Sequence, residues 1–168
     1  MNPSFTEIQT SVSKRLQRFP EFAQIAILTE RAKDFRGDVD RALGGIQENC
    51  KPGLFLLIGT PTTSVAREQV VGPNLTLIVA VTCSENVLQN MADSGSQIPA
   101  ADAAINVLRI LVGFHPTNCL APLMPAEPAV RVIEDPFDPD RLCYLATLKT
   151  QVMFAPIRLS GEGAFVKE

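Results

Sequence analysis

Leu75-Thr76-Leu77-Ile78-Val79-Ala80-Val81-Thr82-Cys83 is the stretch that decides the fold. Leu75, Leu77, Val79, Val81 and Cys83 alternate with Thr76, Ile78, Ala80 and Thr82, the period of a strand whose successive side chains point to opposite faces. Upstream, the turn Pro52-Gly53 leads into Leu54-Phe55-Leu56-Leu57-Ile58, apolar at every position. Such a run reads as a central strand covered on both sides. The polar segment 60–72 between the two is too short for a helical crossover, so the spacing predicts an antiparallel pair.

Working outward, residues 85–98 are polar and contain Asp93-Ser94-Gly95-Ser96, which reads as a loop. After Pro99 the segment 100–112 is helical, with a stripe of Ala101, Ile105, Leu108 and Val112 widened by Ala104 and Leu111. Gly113 supplies the left-handed stop. The last third reads as two strands. Val130 and Val132 alternate around Arg131, and Leu142, Tyr144, Ala146, Leu148 and Val152 share one face with Phe154, leaving Thr147, Lys149 and Gln151 on the other. Between them Asp135-Pro136-Phe137-Asp138-Pro139-Asp140 makes an acidic turn.

At the start, Ser4 and Glu7 have the spacing of a capping box, and Phe5, Ile8, Val12 and Leu16 recur at helical spacing over 4–18, ahead of Pro20. Residues 21–29 read as a short strand and 37–49 as a second helix weakened by Gly44-Gly45. The expected fold is one α+β domain over 1–155 with a C-terminal tail at 156–168. Its mostly antiparallel sheet of four to five strands packs against helices in the order α-β-α-β-β-α-β-β.

The chain has 168 residues, 46% of them hydrophobic and 20% charged, so it can bury roughly 70% of its unfolded surface without a metal or disulfide. Its net charge of −3 and lack of a Lys/Arg stripe argue against nucleic-acid binding and against an anionic membrane as partner. The N-terminus has no basic segment followed by an apolar run, so the expected location is the cytosol. Cys50, Cys83, Cys119 and Cys143 form no C-x-x-C pair and read as small buried hydrophobes.

Candidate chemistry is thin. His115, the one histidine, lies four residues before Cys119, the spacing of half a zinc site and one conceivable nucleophile–base pair, but no second ligand pair follows. The acidic turn lacks the glycine and glutamate of a calcium loop, having Asp140 and Ala146 at those places. Gly59-Thr60-Pro61-Thr62-Thr63-Ser64 follows a strand as a phosphate loop would, but has no lysine. No catalytic, cofactor or metal site is assigned.

The order of elements resembles the tail terminator proteins of long-tailed bacteriophages, especially those of Mu-like phages and prophages. The helix Ile8-x3-Val12-x3-Leu16, the strand Leu75 onward, the helix Ala104-Ile105-Asn106-Val107-Leu108-Arg109-Ile110-Leu111 closing on Gly113-Phe114-x-Pro116, then Leu120-Ala121-Pro122-Leu123 and the strand Tyr144-Leu145-Ala146-Thr147-Leu148-Lys149-Thr150 carry the likeness. It covers residues 70–155 best. The resemblance implies a structural protein, not an enzyme, that forms a ring, usually of six copies. Such a ring caps the tail tube, stops its polymerisation and presents the head-joining surface. The implied partners are other copies of the chain, the tube protein and a head-completion or neck protein, without sequence-specific nucleic acid, membrane or cofactor. The implied location is the host cytoplasm during assembly and the virion tail thereafter. Alternatives are another neck or tube component, or a small Cys/His enzyme or ligand-binding domain. Candidate subunit contacts are Arg67, Glu68 and Val70 on the 60–72 arm, Lys149 and Gln151 on the last strand, and Arg158 in the tail.

Overall fold

The helical period at the N-terminus gives α1, Phe5–Leu16. Ile8, Val12 and Leu16 are fully buried, as their spacing requires, whereas Phe5 is 41% exposed. The capping box does not form. Ser4 caps the helix through its carbonyl oxygen, which accepts from the amides of Glu7 and Ile8, with no side-chain bond. Pro20 stops α1 and opens the short 3-10 turn Pro20–Phe22, which drops Phe22 into the core.

The computed structural model describes residues 4–29, 53–59, 70–71, 74–92, 98–134 and 140–153. The expected helix at 37–49, most of the 60–72 arm, the 135–139 turn, the tail and Cys50 lie outside them. The strands are β1 Ala26–Thr29, β2 Leu54–Gly59, β3 Val70–Val71, β4 Asn74–Glu85, β5 Met124–Glu134 and β6 Leu142–Met153. Five run side by side as β1-β2-β4-β6-β5, and β3 pairs with the start of β4. β2 and β4 are antiparallel as expected, and β4 and β6 pair without a break from Asn74↔Met153 to Glu85↔Leu142.

Further expectations are corrected. The strand expected over 21–29 is confined to Ala26–Thr29, because Pro20–Phe22 form the 3-10 turn ahead of it. β1 runs parallel to β2, so the sheet is mixed rather than mostly antiparallel. Residues 30–53 separate these strands, more than the dozen or so that a crossover between parallel neighbours needs. Residues 85–98 are not all loop, because Val87–Ala92 form the helix α2. Asn86 starts it, its Oδ1 accepting from the Gln89 amide at 3.0 Å.

The second long helix, α3 (Ala100–Leu111), packs with α1 on one face of the sheet. Leu56, Ile58, Val79, Val81, Ala146, Leu148 and Val152 rise from that face into a core shared with Val107 and Leu111. The buried stripe of α3 is Ala100, Ala103, Ala104, Val107, Ile110 and Leu111, rotated from the one expected, and Ile105 is 51% exposed. Asp102, Asn106 and Arg109 mark the outward side, and Ile105 lies among them. Gly113 ends the segment at φ +81°, its amide donating to the Leu123 carbonyl.

The opposite face is covered at one end. Phe55 and Leu57 pack there with Ala26 and Leu28, and Cys143 and Leu145 are buried across the same register. Arg141, 5% exposed, places its guanidinium 4.8 Å from the Phe55 ring centroid. It donates to the Ser84 Oγ, the Ser84 carbonyl and the Gly53 carbonyl at 2.7, 2.9 and 3.1 Å. An arginine so held covers the ring with its planar head while its N–H groups serve the buried carbonyls.

Candidate functional site

Along β6 the second sheet face changes character. Cys143 and Leu145 are buried, but Lys149, Gln151 and Met153 are exposed. The register places Thr76 opposite Gln151 and Ile78 opposite Lys149 on β4, and Met124 opposite Lys149 on β5. The loop before β5 crosses this end of the strand. The Leu120 amide donates to the Gln151 carbonyl at 2.6 Å, and the Thr150 Oγ1 donates to the Ala121 carbonyl at 2.6 Å. The result is a shallow cleft of about 250 Å³ floored by Thr76, Lys149 and Gln151 and rimmed by Pro122 and Met124. Met124 and Met153 are about half exposed, at 48% and 50%. Two of the predicted contact residues, Lys149 and Gln151, thus stand together on one open surface. Val70 lies in β3, and Arg67, Glu68 and Arg158 fall outside the described residues.

A larger groove, about 490 Å³, opens between α1 and the loop after α3. Lys14, Arg15, Arg18 and His115 line it together with Glu7 and Ser11. Asn118, at φ 64°, turns its Nδ2 onto the Glu7 Oε2 at 2.7 Å, and the Thr117 amide donates to the Ser11 Oγ at 3.3 Å. These two bonds fasten the loop to the helix. Arg15 lies 5.0 Å from the Phe19 ring centroid and 5.6 Å from that of Phe114. Its Nε is buried and makes no hydrogen bond among the described residues. The helical spacing sets Lys14 and Arg18 off the apolar stripe of α1 with Arg15 at its edge, but nothing in the sequence brings His115 beside them, because that neighbourhood depends on the loop folding back.

His115 and Cys119 do not share a cleft. His115 is exposed in the α1 groove, while Cys119, 7% exposed, joins the core and is not among the residues lining that groove. Burial raises the Cys119 thiol above its ordinary range, opposed in part by a hydrogen bond with Thr150. A nucleophile needs the reverse shift. Cys83 is pushed up more strongly, first by burial and then by the neighbouring Cys143. Among the described residues no group of three or more His, Cys, Asp or Glu side chains could hold a metal ion, and no helix is long and apolar enough to cross a membrane.

A third polar cluster is structural. Glu85, 7% exposed, accepts from Asn90 Nδ2 through Oε1 at 2.8 Å and from the Ala100 amide through Oε2 at 2.7 Å. Asn90 Nδ2 also donates to the Ile98 carbonyl at 3.0 Å. The carboxylate therefore caps the start of α3 and ties α2 to it.

No family model matches the chain, and no curated protein matches it.

Proposed function

We propose that this protein works by assembling with copies of itself, as the tail terminator of a long-tailed phage or prophage. A ring of copies, six in the resembled family, caps the tube, stops its growth and offers a surface to the head-completion protein. The reading rests on the likeness of residues 70–155 to that family. The observation that supports it best is the open end of the sheet, where Lys149 and Gln151 stand beside two half-exposed methionines. Methionine is enriched in protein–protein contacts relative to the rest of the surface. A ring needs two different faces per copy, since each subunit meets its neighbours heterologously.

Electron microscopy of tails assembled without this protein tests the reading. Tails of uncontrolled length that fail to acquire heads are the expected result. Tails of normal length with heads attached overturn it.

A further inference from the structure

Lys14, Arg15 and Arg18 crowd three positive charges into about one turn at the end of α1, at spacings where like charges repel. No side chain among the described residues takes a hydrogen bond or ion pair from any of them. Arg15 is held instead by the rings of Phe19 and Phe114, with its Nε enclosed, and it still lines the groove. The carboxylate in the lining belongs to Glu7, two turns nearer the start of the helix and roughly 12 Å along the axis from Arg15. Its Oε2 takes the Asn118 amide group, which leaves Oε1 as an open acceptor. Between the two, the Ser11 Oγ accepts from the Thr117 amide, and its own O–H remains to donate. His115 stands exposed on the loop that walls the other side. The groove is thus positive at one end, carries a free acceptor at the other, and is pinned open by the two bonds between loop and helix.

We propose that the α1 groove binds a small phosphomonoester, with the phosphate among Lys14, Arg15 and Arg18 and the donor-bearing remainder of the molecule toward Glu7. A doubly charged oxyanion neutralises the cluster that Glu7 leaves unanswered. The planar guanidinium of Arg15 matches two phosphate oxygens at once, and the rings that hold it reduce the side-chain freedom lost on binding. The volume of about 490 Å³ lies within the range of small-molecule sites. A nucleic-acid backbone fits less well. It needs positive charge continuing beyond the groove, whereas the groove carries its own carboxylate and the chain as a whole is at −3. Cations in the last turn of a helix also stabilise its negative end, but that role alone gives no response to added phosphate. The site does not depend on the assembly proposed above.

NMR titration of the full-length protein with inorganic phosphate and with adenosine monophosphate tests it, against sodium chloride at equal ionic strength. Both phosphates should shift the backbone amides of residues 14–18 and 114–118 in a saturable way, and chloride and unphosphorylated adenosine should not. The monophosphate should bind at least about tenfold tighter than inorganic phosphate, the equivalent of one added hydrogen bond to a charged group. Lys14→Gln with Arg18→Gln should weaken both ligands at least about tenfold, and these side chains are exposed, so the core is untouched. Arg15→Lys keeps the charge, loses the planar fork and should also weaken both. Glu7→Gln can still accept from Asn118; it should bind inorganic phosphate at least as tightly as wild type and lose the advantage of the monophosphate. Thermal unfolding of each variant separates lost binding from lost folding. Shifts that chloride reproduces, or a Lys14→Gln with Arg18→Gln protein that binds like wild type, would overturn the site. So would a monophosphate no tighter than phosphate, an advantage that survives Glu7→Gln, or variants that melt lower while wild type ignores phosphate. Random-sequence duplex DNA that shifts these amides when the small phosphates do not would overturn it in favour of a nucleic-acid contact.

Discussion

Replacing Glu85 by glutamine keeps its size and changes one oxygen into an NH2 group. Both of its partners, Asn90 Nδ2 and the Ala100 amide, are donors. One of the two contacts must therefore become donor facing donor. Turning Asn90 to offer its oxygen would give up the bond to the Ile98 carbonyl. A hydrogen bond to a charged acceptor contributes about 1.5–3 kcal/mol net. A negative charge at a helix start adds about 0.3–1 kcal/mol. Glu85→Gln should thus destabilise the protein by about 2–4 kcal/mol, lowering Tm by roughly 4–16 °C for a chain of this length. Urea unfolding followed by circular dichroism measures it, with an Asn90→Ala partner to close a double-mutant cycle whose coupling should be about 1 kcal/mol. A glutamine variant within about 0.5 kcal/mol of wild type, with an unchanged m-value, would refute the claim that this buried carboxylate holds α2 and α3 together.

Three further outcomes are expected. Leu148→Ala should cost about 2–5 kcal/mol while the adjacent Lys149→Ala stays within about 0.5 kcal/mol, because the first side chain is fully buried and the second is exposed; denaturant midpoints decide. Arg141→Lys should lose about 1–3 kcal/mol in the same assay, since an ammonium cannot serve both Ser84 and Gly53 while lying flat on Phe55. The thiol of Cys83 ionises less readily folded than unfolded, so its contribution is fully present below the ordinary value of 9.0 and declines as pH rises past it, by up to about 1.4 kcal/mol per pH unit. Melting curves above that pH should fall less steeply for Cys83→Ala than for wild type.

Elements whose pattern has one solution were legible in the sequence. Ile8, Val12 and Leu16 allow only one buried face, and the alternation at 75–83 only one pleat. The run at 54–58, apolar on both sides, is buried on both sides. α3 was different. Most of its residues are apolar, so apolar spacing alone permits more than one face, and the three polar positions were the better guide. The direction of β1 was not legible, because it follows from the path of residues 30–53 and not from four apolar residues in a row. α2 escaped because its evidence is tertiary: six residues with Leu88 and Met91 exposed look like loop until Glu85 reaches Asn90 and Ala100. Of the candidate surface, Lys149 and Gln151 followed from alternation. The gathering of Lys14, Arg15, Arg18 and His115 needed the return of the 114–118 loop.

The uninterrupted β4–β6 ladder has a mechanical consequence. Twelve residue pairs in continuous register join the Leu142 end to the Met153 end with no hinge between. Load applied along the strands would be shared by all the rungs at once, so the pair acts as a strut and not a zipper. A displacement applied at one end would tilt the whole body rather than dissipate within it, and the separation of the two ends would stay constant. A body built this way fixes the distance between whatever meets its two ends.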